Sequence, residues 1–256
     1  MTAEPAGPLR RPVAGILFDI DDTLVDTKMA FGQALAAVRA AFLQHLTTDD
    51  DAALLEAWRA DVGGHYRAYT RGEVSARVQR MSRANALHRD FGGPTLDDGR
   101  FDEWDAVFVA GFEAAWTPHA DARQVLDSLR AAGIALGALS NAPVEHQTRK
   151  LQATGLADIP LLVGVDTLGV GKPDPRVFLE ACRLLGTDPG ETVYVGDELD
   201  VDAVAAVRAG LAGVWLDRPG PRRVPVSAED VAAAVVSGVR VIGSLDELAQ
   251  ALDLPA

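Results

Sequence analysis

The sequence predicts an α/β protein in which a doubly wound parallel sheet carries an inserted α-helical domain. Two observations lead to this prediction. Short apolar runs recur along the chain and alternate with amphipathic helical patterns, which is the order that parallel sheets require. One long segment, residues 26–117, interrupts the alternation, because it shows helical spacing and contains no strand-like run.

The predicted strands begin with residues 13–18, an apolar run that ends at a carboxylate. A continuous run of this kind is typical of a strand that is buried on both faces of a sheet. Helical stripes lie between the runs, at residues 125–129, 177–185 and 201–207, and Gly210 terminates the last of them. We therefore predict a Rossmann-like core, whose later strands lie at residues 134–139, 161–165, 192–195, 213–216 and 239–242.

Residues 26–117 are predicted to form a helical cap domain. Apolar residues recur there at helical spacing, first in residues 31–42. A later stripe, residues 104–116, is rich in aromatic side chains and is predicted to be the core of the cap rather than a ligand site. The α/β core domain then consists of residues 1–25 and 118–256.

The 256-residue chain is acidic, with a net charge of −13 and a pI near 4.7. This charge argues against nucleic acid and against anionic membranes as partners. No apolar run approaches the ~18 residues that span a bilayer. Residues 1–11 are expected to form a loose tail. The single cysteine, Cys182, excludes an intramolecular disulfide and is predicted to be a buried thiol, which favours a cytoplasmic location.

Acidic residues crowd the end of the first predicted strand. Asp19, Asp21 and Asp22 come directly after the apolar run, and Thr23 follows them. Open α/β sheets bind their ligands at the carboxyl ends of strands. Carboxylates that converge there repel one another unless a cation compensates them, and a hard divalent metal with oxygen ligands would do so. The alternative is an acidic turn without a function.

Three later segments place polar groups in comparable positions. Ser140 and Asn141 follow the second strand, where they could bind phosphate oxygens or simply cap a helix. Lys172 lies in a loop stiffened by glycine and proline, where it is either a positive charge in a cleft or a solvated side chain. Asp197 and Asp202 follow the fourth strand, and they could complete a metal site or cap a helix.

In their order along the chain, these four segments resemble the motifs of the haloacid dehalogenase superfamily. Residues 19–23, Asp-Ile-Asp-Asp-Thr, are similar to the first motif, Asp-x-Asp-x-Thr. Ser140 resembles the second motif and Lys172 the third, and Asp197 with Asp202 resembles the fourth. A helical insertion directly after the first motif resembles the C1 cap of subfamily I, which includes phosphoglycolate phosphatases.

The resemblance implies a magnesium-dependent phosphatase that hydrolyses a small phosphorylated metabolite through an aspartyl-phosphate. Asp19 would be the nucleophile, and Asp21 would protonate the leaving oxygen and then activate water. Mg²⁺ would bind the Asp19 and Asp197 carboxylates and the Asp21 backbone carbonyl. Lys172 would balance the charge of Asp19 and of the phosphoryl group. Phosphate oxygens would be contacted by Ser140, Asn141, Asp22 and Thr23. Thr23 would also support the Asp21 side chain. Asp202 would either lie in the outer shell of the metal or contact Lys172.

Within this superfamily, the residue types favour phosphate esters. Dehalogenases of the fold lack an acid two positions after the nucleophile, so Asp21 argues for a phosphatase. A sugar-phosphate mutase or a phosphotransferase is an alternative, and so is a non-catalytic protein that binds a phosphorylated ligand. The sequence leaves open the substrate and the choice between monomer and homodimer. Arg222 and Arg223, in a proline-rich loop, are expected to face solvent.

Overall fold

The computed structural model describes residues 12–220 and 225–254. Residues 1–11 and the two arginines of the proline-rich loop, Arg222 and Arg223, lie outside the described residues. The chain divides into two compact units. One consists of Met1–Val25 together with Pro118–Ala256, and the other is Asp26–Thr117.

The unit Asp26–Thr117 consists of helices packed around aromatic side chains. Trp104 is fully buried, and Phe108 stacks on it with the two ring centroids 5.1 Å apart. The first helix begins at a side-chain cap, because Asp26 Oδ1 accepts a hydrogen bond from Met29 N–H at 2.9 Å. The prediction that the aromatic stripe is core is confirmed. The helices are α1 (Thr27–Phe42), α2 (Asp51–Ala60), α3 (His65–Thr70), α4 (Ala76–Asp90) and α5 (Asp98–Ala114).

The other unit is built on a six-stranded parallel sheet with the strand order β3-β2-β1-β4-β5-β6. The central strand β1 pairs with β2 on one side and with β4 on the other, so that Phe18 is level with Ala138 and with Val195. The predicted doubly wound parallel fold is therefore confirmed. The strands are β1 (Gly15–Phe18), β2 (Ala135–Leu139), β3 (Leu161–Val163), β4 (Thr192–Gly196), β5 (Ala212–Leu216) and β6 (Arg240–Ile242).

One predicted strand ends too late. The apolar run 161–165 ends as a strand at Val163, because Gly164 precedes a short helix and its N–H donates to Thr167 Oγ1 at 3.0 Å. An apolar run alone cannot show where a strand gives way to a buried helix turn.

Side chains of the central strand alternate between two hydrophobic layers. Ile16 and Phe18 pack into the cluster that contains Leu126, whereas Leu17 packs with Phe178 on the opposite face. Burial on both faces explains why the strand is apolar at every position. The helices of this unit are α6 (Ala122–Ala131), α7 (Val144–Ala153), α8 (Val165–Leu168), α9 (Pro175–Leu185), α10 (Ala205–Arg208), α11 (Ala228–Val236) and α12 (Leu248–Ala251), and a π-helical turn at Leu199–Val204 precedes α10.

Cys182 is buried in α9, as predicted, and burial raises the pKa of its thiol. A thiol of this kind behaves as a small apolar side chain. Within the described part of the chain, no helix combines the length and the apolarity needed to cross a bilayer.

Candidate active site

The carboxyl ends of β1, β2 and β4 meet at one edge of the sheet and bring the predicted site residues together. Asp19 extends the pairing of β1, because its N–H donates to the Val195 carbonyl at 2.8 Å. The chain then turns at Asp22, whose φ of +60° lies in the left-handed region. Aspartate is one of the few residues other than glycine that visit this region. The turn is closed by a hydrogen bond of 2.8 Å from Asp22 N–H to the Val25 carbonyl.

A buried ammonium group lies at the centre of the site. Lys172 Nζ is 2.7 Å from each of three acceptors, Asp19 Oδ1, Asp202 Oδ1 and the Tyr194 hydroxyl oxygen. These three contacts account for all three N–H donors of an ammonium group. The Tyr194 hydroxyl in turn donates to the Leu139 carbonyl at 2.9 Å. Burial would lower the pKa of Lys172, but the charges of Asp19 and Asp202 outweigh burial and raise it, so the lysine is a fixed positive charge.

The Asn141 side chain holds the lysine loop in place. Its Oδ1 accepts from Lys172 N–H at 2.6 Å, and its Nδ2 donates to the Lys172 carbonyl at 2.9 Å. The residue before the lysine is Gly171, and a Cβ there would collide with Asn141 Oδ1. Asn141 was predicted to bind phosphate, whereas its side chain contacts the Lys172 backbone, which the sequence did not indicate.

The Ser140 hydroxyl is oriented by two donors. Its Oγ accepts from Ala142 N–H at 3.2 Å and from Gln147 Nε2 at 2.8 Å. A hydroxyl oxygen has two acceptor lone pairs and one O–H donor. Because both lone pairs are engaged, the hydrogen of Ser140 is the group left to donate, and a phosphate oxygen is a suitable acceptor for it.

Two residues that hold Asp21 were missed by the sequence analysis. Gln147 Nε2 donates to Asp21 Oδ2 at 2.6 Å, and Lys150 Nζ forms an ion pair with Asp21 Oδ1. Burial would raise the pKa of Asp21, but the charge of Lys150 and its hydrogen bond outweigh burial and lower it. The available signal was a pair of polar residues on the apolar face of α7, next to Leu151.

Thr23 does not contact the residue that it was predicted to support. Its hydroxyl donates to Asp19 Oδ2 over 3.5 Å rather than to Asp21, and its side chain is fully buried. The prediction of support for Asp21 is therefore wrong. The reason is the tight turn, in which the Ile20 carbonyl accepts from both Leu24 and Val25 N–H groups.

The fourth segment contributes Asp197 and Asp202 from the end of β4. The Asp197 carbonyl accepts from the indole N–H of the buried Trp215 at 2.9 Å. Asp202 contacts Lys172 through Oδ1, as predicted, and its Oδ2 accepts from Glu198 N–H at 3.0 Å. A Cβ at Gly196 would overlap the Asp202 carboxylate, so only glycine at this position allows that side chain to reach the lysine.

We expect Gly196→Ala to lower stability and activity together, because the added methyl group must displace Asp202 from Lys172. Overpacking of this kind costs about 1–3 kcal/mol. The matched control is Gly32→Ala in α1, where the nearest atom to the new Cβ is Leu55 Cδ2 at 3.8 Å and stability should rise by about 0.5–1 kcal/mol. Denaturant unfolding measures both variants. A Gly196→Ala protein as stable as the wild type would contradict this account of the glycine.

The acidic side chains fit a hard divalent cation. Asp19, Asp197 and Asp202 each offer a carboxylate oxygen, and these atoms lie within 4.8 Å of one another. Both oxygens of Asp202 accept close hydrogen bonds, at 2.7 and 3.0 Å. Oδ2 of Asp19 accepts only a long contact of 3.5 Å from Thr23, so Asp19 and Asp197 are the better placed ligand pair. Burial, and then the charges of Asp22 and Glu198, raise the pKa of Asp197 well above its usual range. Oxygen donors that repel one another in this way suit magnesium, calcium or manganese better than zinc.

The chain belongs to the haloacid dehalogenase-like hydrolase family, whose sequence profile matches residues 13–210. The glyceraldehyde 3-phosphate phosphatase of Methanopyrus kandleri is 31% identical over 212 residues, which are 80% of this chain and 84% of that relative. The N-acetylmuramic acid 6-phosphate phosphatase of Pseudomonas aeruginosa is 30% identical over 210 residues, 78% of this chain and 84% of that relative. Among solved structures, the L-2-haloacid dehalogenase PA0810 has a TM-score of 0.71 and 26% identity, and the match covers 94% of this chain and 99% of that one.

Proposed function

We propose that this hydrolase cleaves the phosphate monoester of a small metabolite through an aspartyl-phosphate on Asp19, with Mg²⁺ as cofactor. The observation that carries the proposal is the different surroundings of two carboxylates in one turn. Asp19 is held by Lys172 beside Asp197, whereas Asp21 is held by Gln147 and Lys150. Carboxylates with different surroundings can take different roles in one reaction. Asp21 also separates this chain from dehalogenation, which needs no proton donor for its leaving halide.

In the first step, an Asp19 carboxylate oxygen attacks phosphorus and the bond from phosphorus to the ester oxygen breaks. Asp21 in its acid form gives its proton to that oxygen, so that an alcohol leaves rather than an alkoxide. The Ser140 hydroxyl donates to a phosphate oxygen. Lys172 stays fixed by Asp202 and Tyr194 and compensates the charge of Asp19.

In the second step, water gives a proton to the Asp21 carboxylate and attacks phosphorus. The bond between phosphorus and Asp19 breaks, which releases inorganic phosphate and restores both residues. Gln147 and Lys150 stabilise the carboxylate form of Asp21, which is the form that this step requires. A divalent cation bound by Asp19 and Asp197 would offset the negative charge of the phosphoryl group.

We further propose that the helical unit Asp26–Thr117 is a C1 cap that selects the leaving group, and that the protein works in the cytoplasm. The two phosphatases named above act on a phosphorylated sugar and on a phosphorylated three-carbon compound, according to their names. Small phosphorylated metabolites of this kind are therefore the first substrates to test.

Phosphate release from p-nitrophenyl phosphate and from a panel of phosphorylated sugars, three-carbon acids and nucleotides tests the proposed function. We expect turnover that requires Mg²⁺ and stops when EDTA removes it. The same samples are assayed for halide release from 2-chloropropionate. Halide release without phosphate release would contradict the proposal and favour dehalogenation.

Magnesium binding is expected to weaken as the pH falls below neutrality. Burial raises the pKa of Asp19 to about 7, and Asp202 and Asp21 add to this effect while Lys172 opposes it. The cation needs the carboxylate form, so below that pH it must displace a proton. Loss of one proton on binding corresponds to about a tenfold change in affinity per pH unit. Titration calorimetry at pH 6 and pH 8 measures the difference, and equal affinities at the two values would contradict the linkage.

A further inference from the structure

We propose that Gln147 and Lys150 are positioning residues that set the proton-transfer geometry of Asp21. The inference rests on the proposed function, in which Asp21 protonates the leaving oxygen and then deprotonates water. Neither residue belongs to the four motif segments of the sequence. Both lie on one face of α7, three positions apart, and side chains at this spacing are neighbours on a helix surface.

The two residues hold both oxygens of the Asp21 carboxylate. Gln147 Nε2 contacts Oδ2 at 2.6 Å, and Lys150 Nζ contacts Oδ1. With one donor on each oxygen, the plane of the carboxylate is fixed and rotation about its last side-chain bond is opposed. A proton donor must lie within hydrogen-bond reach of the reacting oxygen, and errors of about 1 Å in position are costly. Fixed orientation is therefore a catalytic requirement for Asp21.

Gln147 also links Asp21 to the predicted phosphate ligand. Its amide nitrogen carries two N–H donors, one directed to Asp21 Oδ2 and the other to Ser140 Oγ at 2.8 Å. One fully buried amide therefore sets the distance between the group that handles the proton and the hydroxyl that faces the phosphate. Its two partners come from different strand ends, after β1 and after β2.

The burial of Lys150 supports a role beyond stability. Its side chain is 1% exposed, whereas the Asp21 side chain is 35% exposed. Removing an ammonium group from water costs several kcal/mol, and a buried ion pair seldom returns a net gain in stability. The neighbouring Arg149 and Gln152 on the same helix are exposed, so α7 can present polar residues to solvent at no such cost. The buried cation faces a carboxylate that remains accessible.

The role predicts an effect that depends on the leaving group. p-Nitrophenolate leaves readily without a proton, whereas phenolate is more basic and gains more from a proton donor. General acid catalysis is worth about 10²–10⁴-fold. If Asp21 is misplaced, phenyl phosphate should suffer more than p-nitrophenyl phosphate. A residue that only stabilises the fold, or only binds phosphate, would change both substrates by the same factor.

The test measures kcat/KM for p-nitrophenyl phosphate and for phenyl phosphate with wild type, Lys150→Met and Gln147→Met. Arg149→Met and Gln152→Met are matched controls that remove a charge and an amide from the exposed part of the same helix. We expect the kcat/KM for p-nitrophenyl phosphate, divided by that for phenyl phosphate, to rise by about tenfold or more in the two positioning variants. In the controls this ratio should stay at the wild-type value. Both rates come from one sample, so inactive protein cancels from the ratio.

An unchanged ratio in Gln147→Met, and in Lys150→Met if that variant folds, would overturn the positioning role. Gln147→Met removes no charge, so it carries the test if Lys150→Met fails to fold. Asp19→Asn is assayed in the same series. If Asp19→Asn keeps the wild-type turnover rate, the proposed function and this inference are both overturned. If Asp19→Asn is inactive but the positioning variants lose kcat/KM equally for the two substrates, only the positioning role is overturned.

Discussion

Replacing Asp19 with asparagine is expected to lower the turnover rate at least ~10³-fold. Losses of this scale follow when an enzyme that uses covalent catalysis loses its nucleophile. Asparagine has the shape of aspartate but lacks a carboxylate oxygen that can attack phosphorus. Lys172 keeps Asp202 as a charged partner at 2.7 Å, so the fold should survive. Steady-state phosphate release and thermal unfolding measure the two properties separately.

The control for this variant is Asp246→Asn, which removes an exposed carboxylate from the same unit and should leave turnover unchanged. A folded Asp19→Asn protein that keeps more than a tenth of the wild-type rate would show that another group attacks phosphorus.

Lys172→Met is expected to be the most destabilising single change in the site. The lysine is 3% exposed, and its ammonium group is the shared partner of Asp19 and Asp202. Without it, two buried carboxylates face each other with no cation between them. Removing one partner of a buried ion pair costs about 3–5 kcal/mol. Denaturant unfolding should show a loss of that size, and phosphate release should fall to background.

Arg176→Met is the matched control, because Arg176 pairs with Asp174 on the same segment but its side chain is 67% exposed. Exposed pairs contribute about 0–1 kcal/mol, so this variant should unfold close to the wild type. A loss below about 1 kcal/mol for Lys172→Met would mean that the site does not depend on the lysine for its charge balance.

The arrangement of the core could be predicted because a buried parallel strand leaves a recognisable apolar run in the sequence. A strand covered on both faces is apolar at every position, as in β1, and its carboxyl end lies next to the ends of its neighbours. Asp19, Ser140 and Asp197 follow β1, β2 and β4, so their convergence follows once the strand order is assumed. Lys172 could be placed near them only through its motif.

The site contacts made by side chains in the middle of helices and strands could not be predicted in the same way. Gln147 lies 126 positions from Asp21 in sequence, and Tyr194 is a core residue of β4 whose hydroxyl happens to reach Lys172 at 2.7 Å. A lysine within a helix is usually solvated, so the position of Lys150 next to Leu151 on the apolar face of α7 was a weak signal of its burial. The wrong role for Thr23 has a local cause, because the direction of its side chain depends on the turn after Ile20.

The most direct test of the central claim is to isolate the phosphorylated protein. Asp21→Asn keeps the nucleophile but lacks the carboxylate that activates water, so it should react once with p-nitrophenyl phosphate and stop. The account predicts a burst of one p-nitrophenolate per protein in Mg²⁺ and a phosphoryl group on the peptide that contains Asp19, detected by mass spectrometry after acid quench. A phosphoryl group on another residue would contradict the account. So would the absence of a burst from Asp21→Asn when the wild-type protein turns over p-nitrophenyl phosphate.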